Sequence, residues 1–353
     1  MKSFLFVSAV LSLFFSACAT SQSRSFVAAA KRLNTFSHIQ IGCRIIDYAG
    51  NLVFFAAGGD MCLFYDDGTY IMSRPGGPLT KIDKNRNIIW KTDLNVHHVL
   101  EKSRFSDDIL AIGDQWENID NRFIRFDKLL VINQNGKVQK SFGFKNYIEG
   151  YKVKYDPWEI RDAPADKSLE LSHFNSFAET YETGASSPVL SGYVANDRFS
   201  KQAFFLNKDL SQITQIWDFE TRAVHGLIAA SSDQFIYYMN EDNKVSYPSN
   251  RDFYSRIERF DRNSGKTSVA WESRSKVLAS KMGSSVQILS EDVIFIFNAL
   301  CPICTFSAEK HPVAELVFLK ENRSYLLQLP DSLAEGNISA TLIDARKFLE
   351  NQN

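Results

Sequence analysis

A short unit recurs along this chain: a polar turn, often with Gly, followed by a strand that often ends in an aromatic residue. It occurs at Tyr65-Asp66-Asp67-Gly68-Thr69-Tyr70, at Asp83-Lys84-Asn85-Arg86-Asn87 running to Trp90, and at Asn133-Gln134-Asn135-Gly136-Lys137-Val138 running to Phe142. It returns at Asn207-Lys208-Asp209-Leu210 before Trp217, at Asp261-Arg262-Asn263-Ser264-Gly265 before Trp271, and at Glu321-Asn322-Arg323 before Leu329. Asn, Asp and Gly accept tight turns, and β-branched and aromatic residues suit a half-buried pleated surface. Units about fifty residues long fit four-stranded sheets repeated around an axis, which leaves only short protected edges. The expected fold is therefore all-β: a β-propeller of six blades of four-stranded antiparallel sheet, or seven if a degenerate unit lies between Ile148 and Leu190. A pair of β-sandwiches would not need the same unit six times. The recurring aromatics read as packing between blades.

Within the stretch from Ile82 to Asp114, the pattern predicts a strand ending at Trp90, a loop through His97-His98, and a second strand over Asp108 to Ile112. Residues 25–37 read as an N-terminal helix or as linker. Two charged, Pro-bearing stretches, 151–170 and Ser246 to Asp252, interrupt the strand rhythm and read as long loops on one binding face.

Composition narrows the function. The 353 residues carry a net charge of −1, without the excess of Lys and Arg that phosphate backbones require, so no nucleic-acid partner is expected. The chain has no Gly-x-x-x-x-Gly-Lys-Ser/Thr phosphate loop, no Gly-x-Gly-x-x-Gly turn and no Gly-x-Ser-x-Gly elbow, so neither a nucleotide cofactor nor a Ser hydrolase is indicated.

Residues 1–17 combine one Lys, a short apolar run and small residues, the pattern of a secretory signal. Cys18 follows Ser16-Ala17 and resembles a bacterial lipoprotein acceptor, with ordinary cleavage nearby as the alternative. Residues 18–38 then hold the lipidated Cys and a tether, 39–330 the propeller, and 331–353 a tail with a short helix. The expected location is the periplasm or cell surface, on the membrane through the N-terminal lipid, within reach of an envelope protein partner. Cys43, Cys62, Cys301 and Cys304 remain, and an even number in an exported chain favours disulfides over a redox CxxC or a zinc site.

Six His occur. His97-His98, His173 in Ser172-His173-Phe174-Asn175-Ser176, and His225 in Val224-His225-Gly226 each sit near the start of a strand. The first strand of every blade lines a propeller's axis, so His from three blades can converge. Convergent imidazoles serve metal binding, acid-base chemistry or nucleophilic attack on sulfuryl and phosphoryl groups. Each could instead be a hydrogen-bonded structural residue, as His38 and His311 are read to be.

The order Asp83…Trp90…His97-His98…Asp108-Ile109-Leu110, then Ser172-His173-Phe174-Asn175-Ser176, then Val224-His225-Gly226, then Gly265…Trp271 resembles the bacterial arylsulfotransferase family. The resemblance spans about Ile41 to Leu329 as scattered short motifs. It implies an exported six-bladed propeller that moves a sulfuryl group from an aryl sulfate to a phenol, with no nucleotide donor, cofactor or metal. His225 is implied as the nucleophile, with His98 and His173 binding the sulfate and handling the phenolic proton. His97, Asn175, Arg198 and Arg222 are the implied or substitute substrate-binding residues. The family places Arg directly after a Ser on the strand that follows His-x-Asn-Ser; here Ser191 is followed by Gly192-Tyr193. A competing expectation is a catalytically silent propeller lipoprotein that binds a protein or glycan.

Overall fold

The computed structural model describes residues 24–74, 77–119, 122–145, 169–182, 188–219, 223–229, 234–240, 256–272, 284–298, 312–330 and 340–352. The chain is a β-propeller built of antiparallel ladders. The first ladder runs, from the axis outward, β24 (Ala340–Ile343), β1 (His38–Ile41), β2 (Arg44–Ile46) and β3 (Leu52–Phe55). The second is β4 (Met61–Phe64), β5 (Tyr70–Ser73), β6 (Pro78–Ile82) and the first half of β7 (Ile88–Lys102). The second half of β7 starts the third ladder with β8 (Ile109–Ile119), β9 (Arg122–Ile132) and β10 (Val138–Gly143), while β11 (Leu169–Glu170) lies parallel to β9. Then follow β12 (Phe174–Glu182) with β13 (Val189–Asp197), β14 (Gln202–Asn207) and β15 (Ile213–Asp218). The last two ladders are β16 (Ala223–Ala229), β17 (Gln234–Asn240), β18 (Arg256–Asp261) and β19 (Lys266–Glu272), then β20 (Ser284–Ser290), β21 (Val293–Asn298), β22 (Val313–Phe318) and β23 (Arg323–Gln328). Counted as unbroken sheets, the described residues form five; counted as four-strand ladders they form six, because β7 serves two.

Burial explains the ring. Each successive pair of ladders encloses its own apolar cluster, from Cys43, Ile45, Cys62 and Tyr70 between the first two to Ile39, Ile41, Phe295 and Leu316 between the last and the first. Between the fourth and fifth ladders Trp217 stacks on Phe260 at 3.6 Å, the packing role expected of the recurring aromatics. Such a pair adds about 1 kcal/mol beyond the area it buries. The Cys43–Cys62 disulfide ties the first ladder to the second.

Four of the turn units share one mechanism. An Asp or Asn side chain opens the turn and accepts backbone N–H groups two to four residues on: Asp83 from Asn87 at 2.7 Å, Asn133 from Lys137 at 3.0 Å, Asn207 from Ser211 at 2.9 Å and Asp261 from Ser264 at 2.8 Å. A residue three or four positions after the opening one then takes a left-handed conformation: Arg86, Gly136, Leu210 and Gly265. These turns join the third and fourth strands of their ladders. The Tyr65 unit joins β4 to β5 instead, and the first ladder's equivalent turn is Asp47 to Asn51, where Asp47 accepts from Asn51 N–H at 2.8 Å and Gly50 has φ +86°.

Three expected boundaries change. The chain beyond Pro330 is more than a tail: β24 pairs with β1 and closes the ring, held from β20 by Ser285 on Ala340 and Gln287 on Leu342. Its short helix α2 (Arg346–Glu350) packs Phe348 against Phe54, Phe64 and Tyr70. The described part of 18–38 is more than a tether, because helix α1 (24–31) buries Phe26, Ala29 and Ala30 against the last ladder, with Arg32 paired to Glu321 at 2.6 Å. His97-His98 lie within the continuous strand β7, since its residues pair on both sides. No described helix is long and apolar enough to cross a membrane.

Candidate functional site

The innermost strands surround a cavity of about 420 Å³ on the propeller axis. All six ladders reach it: Thr341, Met61, His98, Asn175, Gly226 and Val286 stand on its wall. Its two ends differ chemically. β7 and β12 run along the wall in the same sense, so His98 and Asn175 mark one end, while Glu101, Lys102 and Glu179 mark the other, about 10–13 Å along the strands. At the second end Ser103 donates its hydroxyl to Glu179 Oε1 at 2.5 Å and Arg104 donates its N–H to Oε2 at 2.7 Å, which satisfies a carboxylate that is only 5% exposed.

The three inner strands that carry the predicted residues are each bulged at the same level. Pairing skips between His97 and Leu100 in β7, between Phe174 and Ser176 in β12, and between His225 and Leu227 in β16. A bulge re-aims the side chain it carries. His98 sits in the β7 bulge at φ +59°, a region where non-Gly residues are uncommon and which marks a constrained position.

Around His98 the imidazoles meet. Its Nδ1 lies 2.8 Å from His97 Nδ1, and its ring stands edge-on to His173 with centroids 4.6 Å apart. His97 points away from the cavity, with Nε2 2.9 Å from Asp127 Oδ1 and 3.2 Å from Asp114 Oδ1. Burial opposes its charge, yet the two carboxylates outweigh burial and push His97 up to about 9. Burial takes His173 the other way, down to about 4, with Arg198 and His97 adding to the effect. At neutral pH one imidazole of the cluster is therefore charged and one neutral.

His173 reaches this place because the segment before β12 is tied to its neighbours. β11 runs beside β9, Leu171 N–H continues the pairing to Arg125 O, and Ser172 Oγ accepts Asp127 N–H at 2.7 Å. Phe174 N–H then donates to Asp127 Oδ2 at 2.6 Å, and His173 N–H to Asp197 Oδ1 at 2.7 Å. Arg198 returns its own N–H to His173 O at 2.8 Å.

Asn175 is 8% exposed and donates Nδ2–H to Val224 O at 3.2 Å, a carbonyl that also accepts from Asn196 Nδ2 at 2.9 Å. These amides clamp the backbone beside His225. They also fix the orientation of Asn175, because turning its oxygen to Val224 O would set two acceptors together. Its Oδ1 has no hydrogen-bond partner among the described residues. Of the other predicted residues, His225 is described through its backbone, opposite Tyr238. Arg222, Cys18, Cys301 and Cys304 lie outside the described residues, as do residues 1–17, His311, the expected loop over 246–252 and the loop expected over 151–170 apart from its last two residues, which form β11.

His97, Asp114 and Asp127 are the described group whose spacing could hold a metal ion. Arg125 Nε lies 3.6 Å from Asp114 Oδ1, so the two carboxylates already face two cations. Asp127 and Arg125 carry no sequence motif of their own, and β-pairing alone brings them to the cluster.

No family model matches the chain, and no curated protein matches it. Among solved structures it is similar to a protein of unknown function from Bacteroides caccae, at 10% identity and TM-score 0.52, over 88% of this chain and 99% of that one. It is also similar to the RRP9 WD40 repeats, at 8% identity and TM-score 0.42 over 82% of this chain and 66% of that one. The Cps50 (Swd1) β-propeller domain of Myceliophteria thermophila follows at 10% identity and TM-score 0.38, over 77% and 83%. The likeness to the Bacteroides caccae protein speaks to the fold alone.

Proposed function

We propose that this protein is an exported, lipid-anchored six-bladed propeller that transfers a sulfuryl group from an aryl sulfate to a phenol at the His98 end of its axial cavity. The observation that carries the reading is the convergence there of His98, on a positive-φ bulge, with the ring of His173 and the buried acceptor of Asn175. In this reading His225 attacks sulfur, as the arylsulfotransferase resemblance assigns. His98 exchanges the phenolic proton, Asn175 accepts a hydrogen bond from the phenol, and Arg198 adds positive potential. Acid-base groups placed at a forming or breaking bond typically contribute about 10²–10⁴-fold in rate. The chemistry calls for neither nucleotide nor metal. Lipidation at Cys18 would hold the enzyme in the periplasm or at the cell surface.

The test is intact-mass spectrometry of the soluble domain after brief exposure to a chromogenic aryl sulfate, beside His225→Ala. A sulfuryl adduct on the wild type alone, with release of the phenol, supports the reading. No adduct and no phenol release across several aryl sulfates rejects it.

A second reading, a non-catalytic propeller that binds an envelope protein or glycan, is favoured by one observation. A Cβ at Gly192, where the resembled family has Arg, would lie 2.3 Å from Leu206 O. The strand pair closes over that position, so the family's guanidinium has no room there. Crosslinking to an envelope protein together with absent turnover would select this reading.

A further inference from the structure

Strands β8 and β9 pair Asp114 directly opposite Asp127. Two carboxylates on facing positions repel, so a sheet keeps such a pair where a cation lies between them. His97 Nε2 occupies that place from β7, at 2.9 and 3.2 Å, and Arg125 of β9 flanks Asp114 at 3.6 Å. Asp127 is fully buried, and its other oxygen is taken by Phe174 N–H. On its far side, among the described residues, His97 faces another imidazole nitrogen, His98 Nδ1 at 2.8 Å. Two facing ring nitrogens at that distance need one proton between them.

Resting on the transfer reading, we propose that Asp127, Asp114 and His97 are positioning residues: they hold His97 with both nitrogens protonated, so that it donates Nδ1–H to His98 Nδ1 and leaves His98 its proton on Nε2. His98 is then the proton donor of the cavity and His97 its reservoir. When a ring nitrogen of His225 bonds to the sulfur of an aryl sulfate, the S–O bond breaks and its electron pair goes to the phenolic oxygen. That oxygen takes the Nε2 proton of His98, and His98 Nδ1 takes the Nδ1 proton of His97. His97 keeps its Nε2–H on Asp127 throughout. A second phenol reverses the transfers as its oxygen bonds to sulfur and the N–S bond to His225 breaks, its electron pair returning to the imidazole, so atoms and charge balance over the cycle. The groups that face His97 are His98 from its own strand, Asp114 from β8, Arg125 and Asp127 from β9, and His173 from the segment leading into β12. The carboxylates outweigh burial in favour of its charged form.

The experiment is nitrogen-15 NMR of the histidine-labelled wild-type protein at neutral pH, which reads each ring's protonation and tautomer without substrate, beside Asp127→Asn and Asp114→Asn. The wild type should show His97 doubly protonated and His98 protonated at Nε2. In either variant the titration midpoint of His97 should fall by about one pH unit or more, with His98 redistributed between tautomers. If one variant fails to fold, the other and the wild-type spectrum decide the question. A His97 that lacks a proton on either ring nitrogen between about pH 6 and 8 overturns the proposal, as does a stoichiometric divalent ion bound there in the purified protein. The expected tautomers with no aryl sulfate turnover would sink the transfer reading and leave the relay standing.

Discussion

Replacing Gly192 bears directly on whether this propeller can carry the arylsulfotransferase set of residues. Gly192 lies in β13, paired with Asn207 of β14 and with Thr180 of β12, so its strand is hydrogen-bonded on both sides. A Cβ there would stand 2.3 Å from the backbone oxygen of Leu206 and 3.4 Å from Thr180 Oγ1. Real Cβ contacts stop near 3 Å, and the obstacle is backbone in a paired strand, which yields only if the β13–β14 ladder opens. Overpacking costs about 1–3 kcal/mol, and a lost ladder hydrogen bond adds about 1 kcal/mol, so Gly192→Ala is expected to destabilise by about 3 kcal/mol. Gly192→Arg should cost at least as much and should not restore sulfuryl transfer. Urea unfolding followed by tryptophan fluorescence measures the first effect, and phenol release from an aryl sulfate measures the second. An Ala variant within about 0.5 kcal/mol of the wild type would refute the steric reasoning, since ordinary surface changes fall in that range. A turnover gain in the Arg variant would refute its functional half.

Four further outcomes are expected. Glu315 is 1% exposed, and burial pushes its carboxyl up to about 7, so the stability it contributes is complete below about pH 4.5 and is lost as pH rises through about 7. Urea titrations of Glu315→Gln and wild type should therefore diverge by about 2–3 kcal/mol between pH 5 and 8, and parallel curves would show that the carboxyl finds compensation. Arg86 holds φ +68° in an exposed turn whose counterparts at 50, 136 and 265 are Gly, so Arg86→Gly should raise stability by about 1 kcal/mol in thermal melts. The Cys43–Cys62 bridge closes 19 residues, so the double Ser variant should lose about 3 kcal/mol, with reducing agent reproducing the loss in the wild type. If His97 supplies the proton, turnover should fall as pH passes about 9 and that imidazole loses its charge, and a flat profile to pH 10 would contradict this.

The architecture was legible in the sequence because turn chemistry is local. An Asp or Asn that accepts N–H groups from its own turn and a left-handed residue three or four positions later leave a mark on neighbouring residues, and that mark recurs in the first five ladders. Asp47 to Asn51 carries the same signal, with Gly50 in the left-handed place, and could have been read with the others. The Tyr65 unit shows the limit of that reading. Its Asp67 accepts from Thr69 like the rest, but the turn serves an inner hairpin, and local chemistry does not say which hairpin of a sheet it closes.

Beyond this, sequence order alone pointed to an all-β chain, to aromatics near strand ends, and to His97, His98, His173 and Asn175 near the starts of strands next to an axis. The tertiary structure decided which of two adjacent His meets the cavity. A bulge, rather than the residue type, turns His98 inward and leaves His97 between Asp114 and Asp127. It also decided that Ala340–Ile343 closes the first ladder and that Gly192 leaves no room for a side chain. Those outcomes depend on register and on the approach of backbones far apart in the chain. Such contacts are made by the ring as a whole and leave no trace in any short stretch of residues.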